Sequence, residues 1–467
     1  MGGGNGRVPP AEHSSSAECP PSPITHRRPK KRKRNRETET LNTATGALNL
    51  PRPNRSNKYN NRSTLKSSSP YGSRKWLSSS RNCDPFTDRI IFMSYNILGT
   101  QNATNHPDLY AKVLPKYLDW NRRKSLLYKE IGCYNADIMC LQESILSIGI
   151  FPNYAKMHIL LNARVIHVMA VQYSGKTNCE ISHSVPATMK LILACRFTLL
   201  HQENMEFDKF GLRNNVAQFC VLKIKQRKSR SNIDNQISSA HFPRVLLVGN
   251  IHVLFNPRRG DIKLGQMRLF LEKAYELSQE WGKIPVILGG DMNSMPKSAM
   301  YKFLASAELD LLLNDRKNIC GQIDASESRA FQSNNYHQAR NYHMCSSWNS
   351  AWRMHSNRWS DEELRNATGS QVTQLQHPLR LQSAYSGVHG NSRTRDKCGE
   401  PLATSYHSKF MGTVDYIWHS QGIVPVRVLE TLPLDVLRKM GGLPCKKWGS
   451  DHLALVCELA FVDDDET

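Results

Sequence analysis

The run Ile284-Pro285-Val286-Ile287-Leu288-Gly289-Gly290-Asp291-Met292-Asn293-Ser294 limits the fold more than any other stretch of this chain. Ile284 to Leu288 is short and almost wholly apolar, the pattern of a strand buried on both faces. Two glycines then permit a sharp turn, and Asp291 and Asn293 follow two positions apart. Side chains alternate along an extended chain, so residues two apart point the same way. A carboxylate and a carboxamide brought together at the mouth of a sheet suit a hard metal ion or a phosphate. The same sequence also serves as a plain capped turn from strand to helix, with Ser294 and Pro296 marking the helix start. The rest of the chain has to decide.

The habit recurs. Arg89–Asn96 is an apolar strand ending in the amide of Asn96, and Ala136–Glu143 another ending in the carboxylate of Glu143. Arg244–His252 ends in His252, and the strand within Ala403–Trp418 carries Asp415. Near the end, Asp451 and His452 stand together at the opening of Gly449–Cys457. A single strand ending in Glu is usually just surface, and a histidine at a strand end is more often a satisfied core residue. Several such endings together point to function, because α/β folds bind ligands where strands end at one edge. Between the strands, Tyr117–Cys133 and Leu264–Trp281 have amphipathic spacing, the latter with Met267, Phe270, Leu271, Ala274 and Leu277 on one face. Those helices are core packing.

Composition narrows the partners. The formal net charge is +22, and residues 1–82 hold 17 Lys/Arg against 4 Asp/Glu. Residues 1–83 are rich in Ser, Pro and Asn without apolar periodicity, which predicts a disordered basic tail. Within it, Arg27–Arg36 is a dense basic run of the nuclear-localisation type. The folded domain is expected over 84–462, interrupted by an atypical segment at 144–200 and a polar surface insertion at 316–400. The most apolar long stretch, Met157 to Leu200, is broken by charged residues, which argues against a membrane span. The cysteines form no Cys-x-x-Cys pair, which predicts reduced thiols rather than a zinc site or disulfide frame. There is no Walker loop, dinucleotide glycine pattern or serine or cysteine nucleophile motif. The oxygen and imidazole groups that remain suit Mg²⁺-assisted attack of water on a phosphodiester.

In order along the chain, Ser94–Leu98, Leu141–Glu143, Asn250–His252, Gly290–Ser294, Thr413–Tyr416 and Ser450–His452 resemble the motifs of the endonuclease/exonuclease/phosphatase superfamily. Gly211–Gln218 and Ile251–Gln266 resemble more specifically the plant carbon catabolite repressor protein 4 homologues, poly(A)-shortening 3′→5′ exoribonucleases, with the homologue 3 type as the nearest. The resemblance implies a four-layer α/β/β/α sandwich with these residues in one cleft. It implies that Glu143, with Asn96 and Asp291, forms the Mg²⁺ site, and that Asp291 activates water oriented by Asn293. His252 and His452 would contact the scissile phosphate, supported by Asp415 and Asp451. Substrate would lie against Glu143, His252, Asn293, Pro257 and Phe410, the last as a platform for adenine. The resemblance further implies polyadenylated mRNA as substrate, membership of the carbon catabolite repressor–NOT deadenylase complex, and a place in nucleus and cytoplasm. Residues 144–200 depart from the family pattern, lacking Val-Asp after Leu-Gln-Glu and the Gly-Cys-Ala-x-Phe-Trp-Lys strand. That departure motivates an alternative, a catalytically impaired RNA-binding or scaffold relative.

Overall fold

The structure, a computed structural model, describes residues 74–83, 88–143, 163–168, 189–194, 196–225, 244–323 and 359–462. In chain order the strands are β1 (Trp76–Ser78), β2 (Arg89–Asn96), β3 (Ile138–Gln142), β4 (Ala163–Val168), β5 (Met189–Ala194) and β6 (Phe197–Glu206). Then come β7 (Val216–Ile224), β8 (Val245–His252), β9 (Val286–Asp291), β10 (Glu308–Asp310), β11 (Gln374–Gln376) and β12 (Gln382–Ser383). The last are β13 (Ser405–His407), β14 (Phe410–Gly412), β15 (Asp415–His419), β16 (Ile423–Leu429) and β17 (Leu455–Phe461). Two mixed sheets carry the fold, a seven-stranded one ordered β1-β16-β17-β2-β3-β5-β4 and a six-stranded one ordered β12-β15-β9-β8-β7-β6.

Alternation within the strands builds the layers. From β2, Ile90 and Phe92 face the second sheet, where they meet Cys220, Leu222, Leu246, Val248, Ile287 and Ile417. Met93 and Tyr95 point the other way, onto Leu127, Ile131 and Tyr134 of the helix Trp120–Tyr134. On the outer face of the second sheet, Leu247, Ile251 and Leu288 pack on Met267, Phe270 and Leu271 of the helix Gly260–Glu280. The expected α/β/β/α sandwich is what forms. Each sheet is apolar on both faces because each lies between a helix layer and the other sheet.

Four boundaries differ from the expectation. The folded body starts before residue 84: β1 pairs with β16, and the Arg74 guanidinium is buried between Tyr134, Glu130 and the carbonyls of Glu430 and Ala454. Sequence texture missed this because one short edge strand is too brief to show periodicity. The basic run at 27–36, with all of 1–73, lies outside the described residues. Second, 359–400 is not a surface insertion. Trp359, Leu364, Leu375, Tyr385 and Val388 are buried, and the capping-box helix Asp361–Thr368 packs on Gly260–Glu280, with Asn366 O where a Cβ on Gly265 would have to go. Polar residues there have partners elsewhere in the fold, as in Arg395 Nε to Glu430 Oε1 at 2.6 Å and Asn366 Nδ2 to Asp261 Oδ2 at 2.9 Å; residues 324–358 lie outside the described set.

Third, the atypical 144–200 segment contributes sheet. β5 pairs antiparallel with β3 and with β4, and β6 begins at Phe197; residues 144–162 and 169–188 lie outside the described residues. Fourth, the helix after Asn293 starts at Ala299 rather than at Ser294, capped by the Ser298 hydroxyl accepting from Tyr301 N at 3.2 Å. Left-handed backbone at Asn293 (φ 44°) and Lys297 (φ 67°) delays it. Among the described residues the cysteines are free thiols, and no helix is long and apolar enough to cross a membrane.

Two stability predictions follow from these contacts. A Cβ at Gly290 would stand 2.0 Å from the Ile251 carbonyl oxygen, where parallel β8 and β9 run side by side. Gly290→Ala is expected to lower the unfolding free energy by about 2–4 kcal/mol in denaturant titration. Burial pushes the Glu130 carboxyl up to about 7 against the opposing pull of Arg74, Tyr95 and Tyr134. A raised carboxyl contributes stability below its ordinary value, lost as pH rises through about 7. Arg74→Ala removes the cation beside it, so the variant is expected to lose more stability at pH 8 than at pH 6, up to about 3–5 kcal/mol when Glu130 is fully charged.

Candidate active site

Strand register assembles the site. β8 and β9 are parallel with His252 opposite Asp291, and β15 runs antiparallel to β9 with Asp415 opposite the same Asp291. Three functional side chains therefore lie across three adjacent strands at one edge. The first sheet supplies the facing half: β2 and β3 are parallel with Asn96 opposite Gln142, and Glu143 follows in left-handed backbone, φ 57°. Below this edge the sheets are tied by Gln142 Nε2 donating to Asn250 Oδ1 at 2.8 Å.

Asn96 is the hinge between the halves. Its Nδ2 donates to Glu143 Oε1 at 3.0 Å and to Asp291 Oδ2 at 3.1 Å, while its Oδ1 accepts from Leu98 N at 3.0 Å. Glu143 Oε2 in turn accepts from Gly99 N at 2.7 Å. His252 Nε2 lies 3.6 Å from Asp291 Oδ2 and 4.0 Å from Glu143 Oε1. Glu143 Oε1 and Asp291 Oδ2 thus converge on one small space. Two carboxylate oxygens so placed, with polar groups around them, fit a hard divalent cation. In this arrangement Asn96 turns its amide nitrogen to the carboxylates, so it positions them rather than serving as a ligand itself. Asp291, Asp415 and His452 also bring donor atoms within 4.8 Å of one another; with His452 Nδ1 engaged by Asp415, that cluster serves the imidazole.

His452 is held from behind. Its Nδ1 is 2.8 Å from Asp415 Oδ2, and its Nε2 is 3.7 Å from Asp291 Oδ2. Burial disfavours charge on the imidazole, but Asp415, Asp451 and Asp291 outweigh it and hold His452 well above its ordinary value. Asp415 does not itself line the cleft; it acts through His452. Asp451 is fixed by Tyr110, whose hydroxyl donates to Asp451 Oδ2 at 2.8 Å and stays protonated through burial and that carboxylate. Asn293 completes the floor. Its backbone N donates to Asp291 Oδ1 at 2.9 Å and its Nδ2 to Val253 O at 2.9 Å.

These groups open into a cleft of about 760 Å³, lined also by Pro257 and by Phe410, both half-buried. All the residues expected at the site come together there, with Asp415 one layer back. Three supporting residues were not expected. Tyr110 lies in a short helical turn without a strand signal. Asn215 donates to the His252 carbonyl at 3.0 Å and accepts from Gln266 at 3.0 Å; it stood within the Gly211–Gln218 motif without a role. Lys263, fully buried, donates through Nζ to Leu254 O at 2.6 Å and Asn293 O at 2.8 Å. Burial lowers its ammonium to about 8. A lysine on the inner face of an amphipathic helix was the available signal.

The chain resembles known proteins in sequence and fold. Residues 93–452 match the Endonuclease/Exonuclease/phosphatase family. The chain is 52% identical over 394 residues to Arabidopsis thaliana carbon catabolite repressor protein 4 homolog 5, covering 84% of this chain and 81% of that protein. Homolog 3 of the same plant is 41% identical over 394 residues, covering 84% and 80%, so the likeness to homolog 5 exceeds that to the expected homologue 3 type. Among solved structures, ANGEL2, a 2′,3′-cyclic phosphatase held in complex with adenosine-2′,3′-vanadate, superimposes with a TM-score of 0.60 at 25% identity, over 83% of this chain and 98% of that one. With the two-sheet sandwich, the convergent carboxylates and the family match in agreement, the chain belongs to the endonuclease/exonuclease/phosphatase family, among its carbon catabolite repressor protein 4-like nucleases.

Proposed function

We propose that this protein is a Mg²⁺-dependent 3′→5′ exoribonuclease that shortens poly(A) and releases AMP. The observation that carries the proposal is the convergence of Glu143, Asp291 and His452 in a cleft with an aromatic residue, Phe410, on its wall. Glu143 and Asp291 would hold the cation, whose chemistry when bound would be to offset charge on the phosphate. Asp291 accepts the proton of the attacking water, which Asn293 orients. His452 presents Nε2–H to a phosphoryl oxygen, its Nδ1 held by Asp415, and His252 contacts the same phosphate. Pro257 and Phe410 flank the terminal adenine, with stacking on Phe410 contributing ~1–3 kcal/mol. The family resemblance supports a place in the deadenylase complex, and the basic run at 27–36 supports entry to the nucleus as well as a cytoplasmic pool.

A second reading draws on ANGEL2, whose ligand carries the vanadate across the 2′ and 3′ oxygens: removal of a 2′,3′-cyclic phosphate from an RNA end, by the same residues. The convergence of Glu143, His252, Asp291, Asn293 and His452 in one cleft supports turnover over an impaired scaffold.

Purified protein is expected to release AMP from oligoadenylate bearing a 3′-hydroxyl, to stop in EDTA, and to slow about 10²–10⁴-fold as Asp291→Ala. Trimming that survives both changes would sink the mechanism. Preference for an oligonucleotide ending in a 2′,3′-cyclic phosphate would favour the second reading, and salt-sensitive RNA binding without turnover of either would restore the scaffold. Lys263 pins the two loops that carry Pro257 and Asn293, and misplacement by about 1 Å is costly in such sites. Lys263→Met is therefore expected to lower kcat roughly 10- to 100-fold with a smaller change in KM, and Lys263→Arg to recover part of it.

A further inference from the structure

Phe255 stands half out of the fold, 46% exposed, on the loop that follows β8. Its ring lies 5.9 Å from the ring of His106, tilted by 41°. The two residues come from opposite walls. His106 belongs to the segment after β2, the side that supplies Asn96 and Glu143, whereas Phe255 extends the side that supplies His252 and Asp291. Both line the cleft that holds those groups. A lone exposed phenylalanine says little, since single apolar side chains are ordinary on a surface. A pair of exposed rings meeting from the two walls of the cleft is a different matter, because together they present an aromatic surface to what the cleft holds.

We propose that Phe255 and His106 form a second base-stacking subsite, which holds a nucleobase upstream of the nucleotide being released. The inference rests on the RNA substrate read above and adds to it. The occupant follows from the surroundings. Gln101, Asn102 and Asn105 line the cleft beside His106 and offer amides to a sugar–phosphate backbone. The exposed carboxylate on that wall, Asp108, is neutralised by Lys409, and Arg258 is exposed on the Phe255 loop. Among the described residues that line the cleft, Asp108 is the only exposed carboxylate, and it is paired. Every base offers a π face, so such a pair grips without reading sequence.

The test measures binding of the full-length protein to fluorescent oligoadenylates in EDTA, where no turnover occurs. One nucleotide in the series, second to fourth from the 3′ end, is replaced by an abasic unit. The wild type is expected to lose affinity roughly 5- to 150-fold at one of these positions. Phe255→Ala is expected to bind intact oligoadenylate correspondingly more weakly and to be indifferent to the abasic unit, with an unchanged melting temperature. Phe255→Trp should keep the discrimination. Equal discrimination by wild type and Phe255→Ala, indifference of the wild type at all three positions, or no binding of RNA overturns the subsite. Failure to release AMP once Mg²⁺ is added strikes instead at the exonuclease reading, and the binding arms stand apart from it.

Discussion

One amide nitrogen joins the two halves of this molecule. Asn96 Nδ2 donates to Glu143 on its own sheet and to Asp291 on the other, at 3.0 and 3.1 Å. Everything else at the site is arranged around that bridge. Two carboxylates so close repel each other unless donors or a cation lie between them, and Asn96 supplies donors without bringing a charge of its own. The strands beneath are held in step by Gln142 and Asn250, which bond across the interior where apolar side chains otherwise fill the space. A buried amide left without a partner is costly, so these pairs also fix how the sheets face one another.

The second sheet positions its groups by register alone. His252, Asp291 and Asp415 are neighbours because β8, β9 and β15 are neighbours, and only a glycine at 290 lets β9 approach β8 closely enough. Strands place a residue more rigidly than loops do. The loop-borne groups are tied down separately: Asn293 by Val253 and by Lys263, Asp451 by Tyr110, and the Gly449–His452 turn by Ser450 Oγ donating to Asn96 O at 2.6 Å. The site is thus a rigid edge with individually anchored loops.

Much of this was legible in the chain. Apolar runs ending in Asn96, Glu143, His252 and Asp291 mark strands of a sheet whose ends share an edge, and the sandwich puts them together. Legibility failed where a residue's role depends on a distant partner. Arg74 looks like one more charge in a basic tail until Glu130 and the Glu430 carbonyl are seen around it. Residues 359–400 look polar and irregular, yet their side chains find partners in distant parts of the fold, Arg395 in Glu430, Asn366 in Asp261 and Glu400 in Tyr301, and periodicity cannot show that. Tyr110 carries no motif at all; its importance is a single hydrogen bond to a residue 341 positions away.

The division of the site between two sheets has a thermodynamic corollary. Glu143 and Asp291 are far apart in sequence and meet only when both sheets have formed and closed, so an unfolded or half-folded chain offers a cation no comparable place. By mass action, a ligand that binds only the closed sandwich shifts the whole folding equilibrium toward it, by an amount that grows with the logarithm of its concentration. A divalent cation held by Glu143 and Asp291 would therefore also act as a rivet between the sheets.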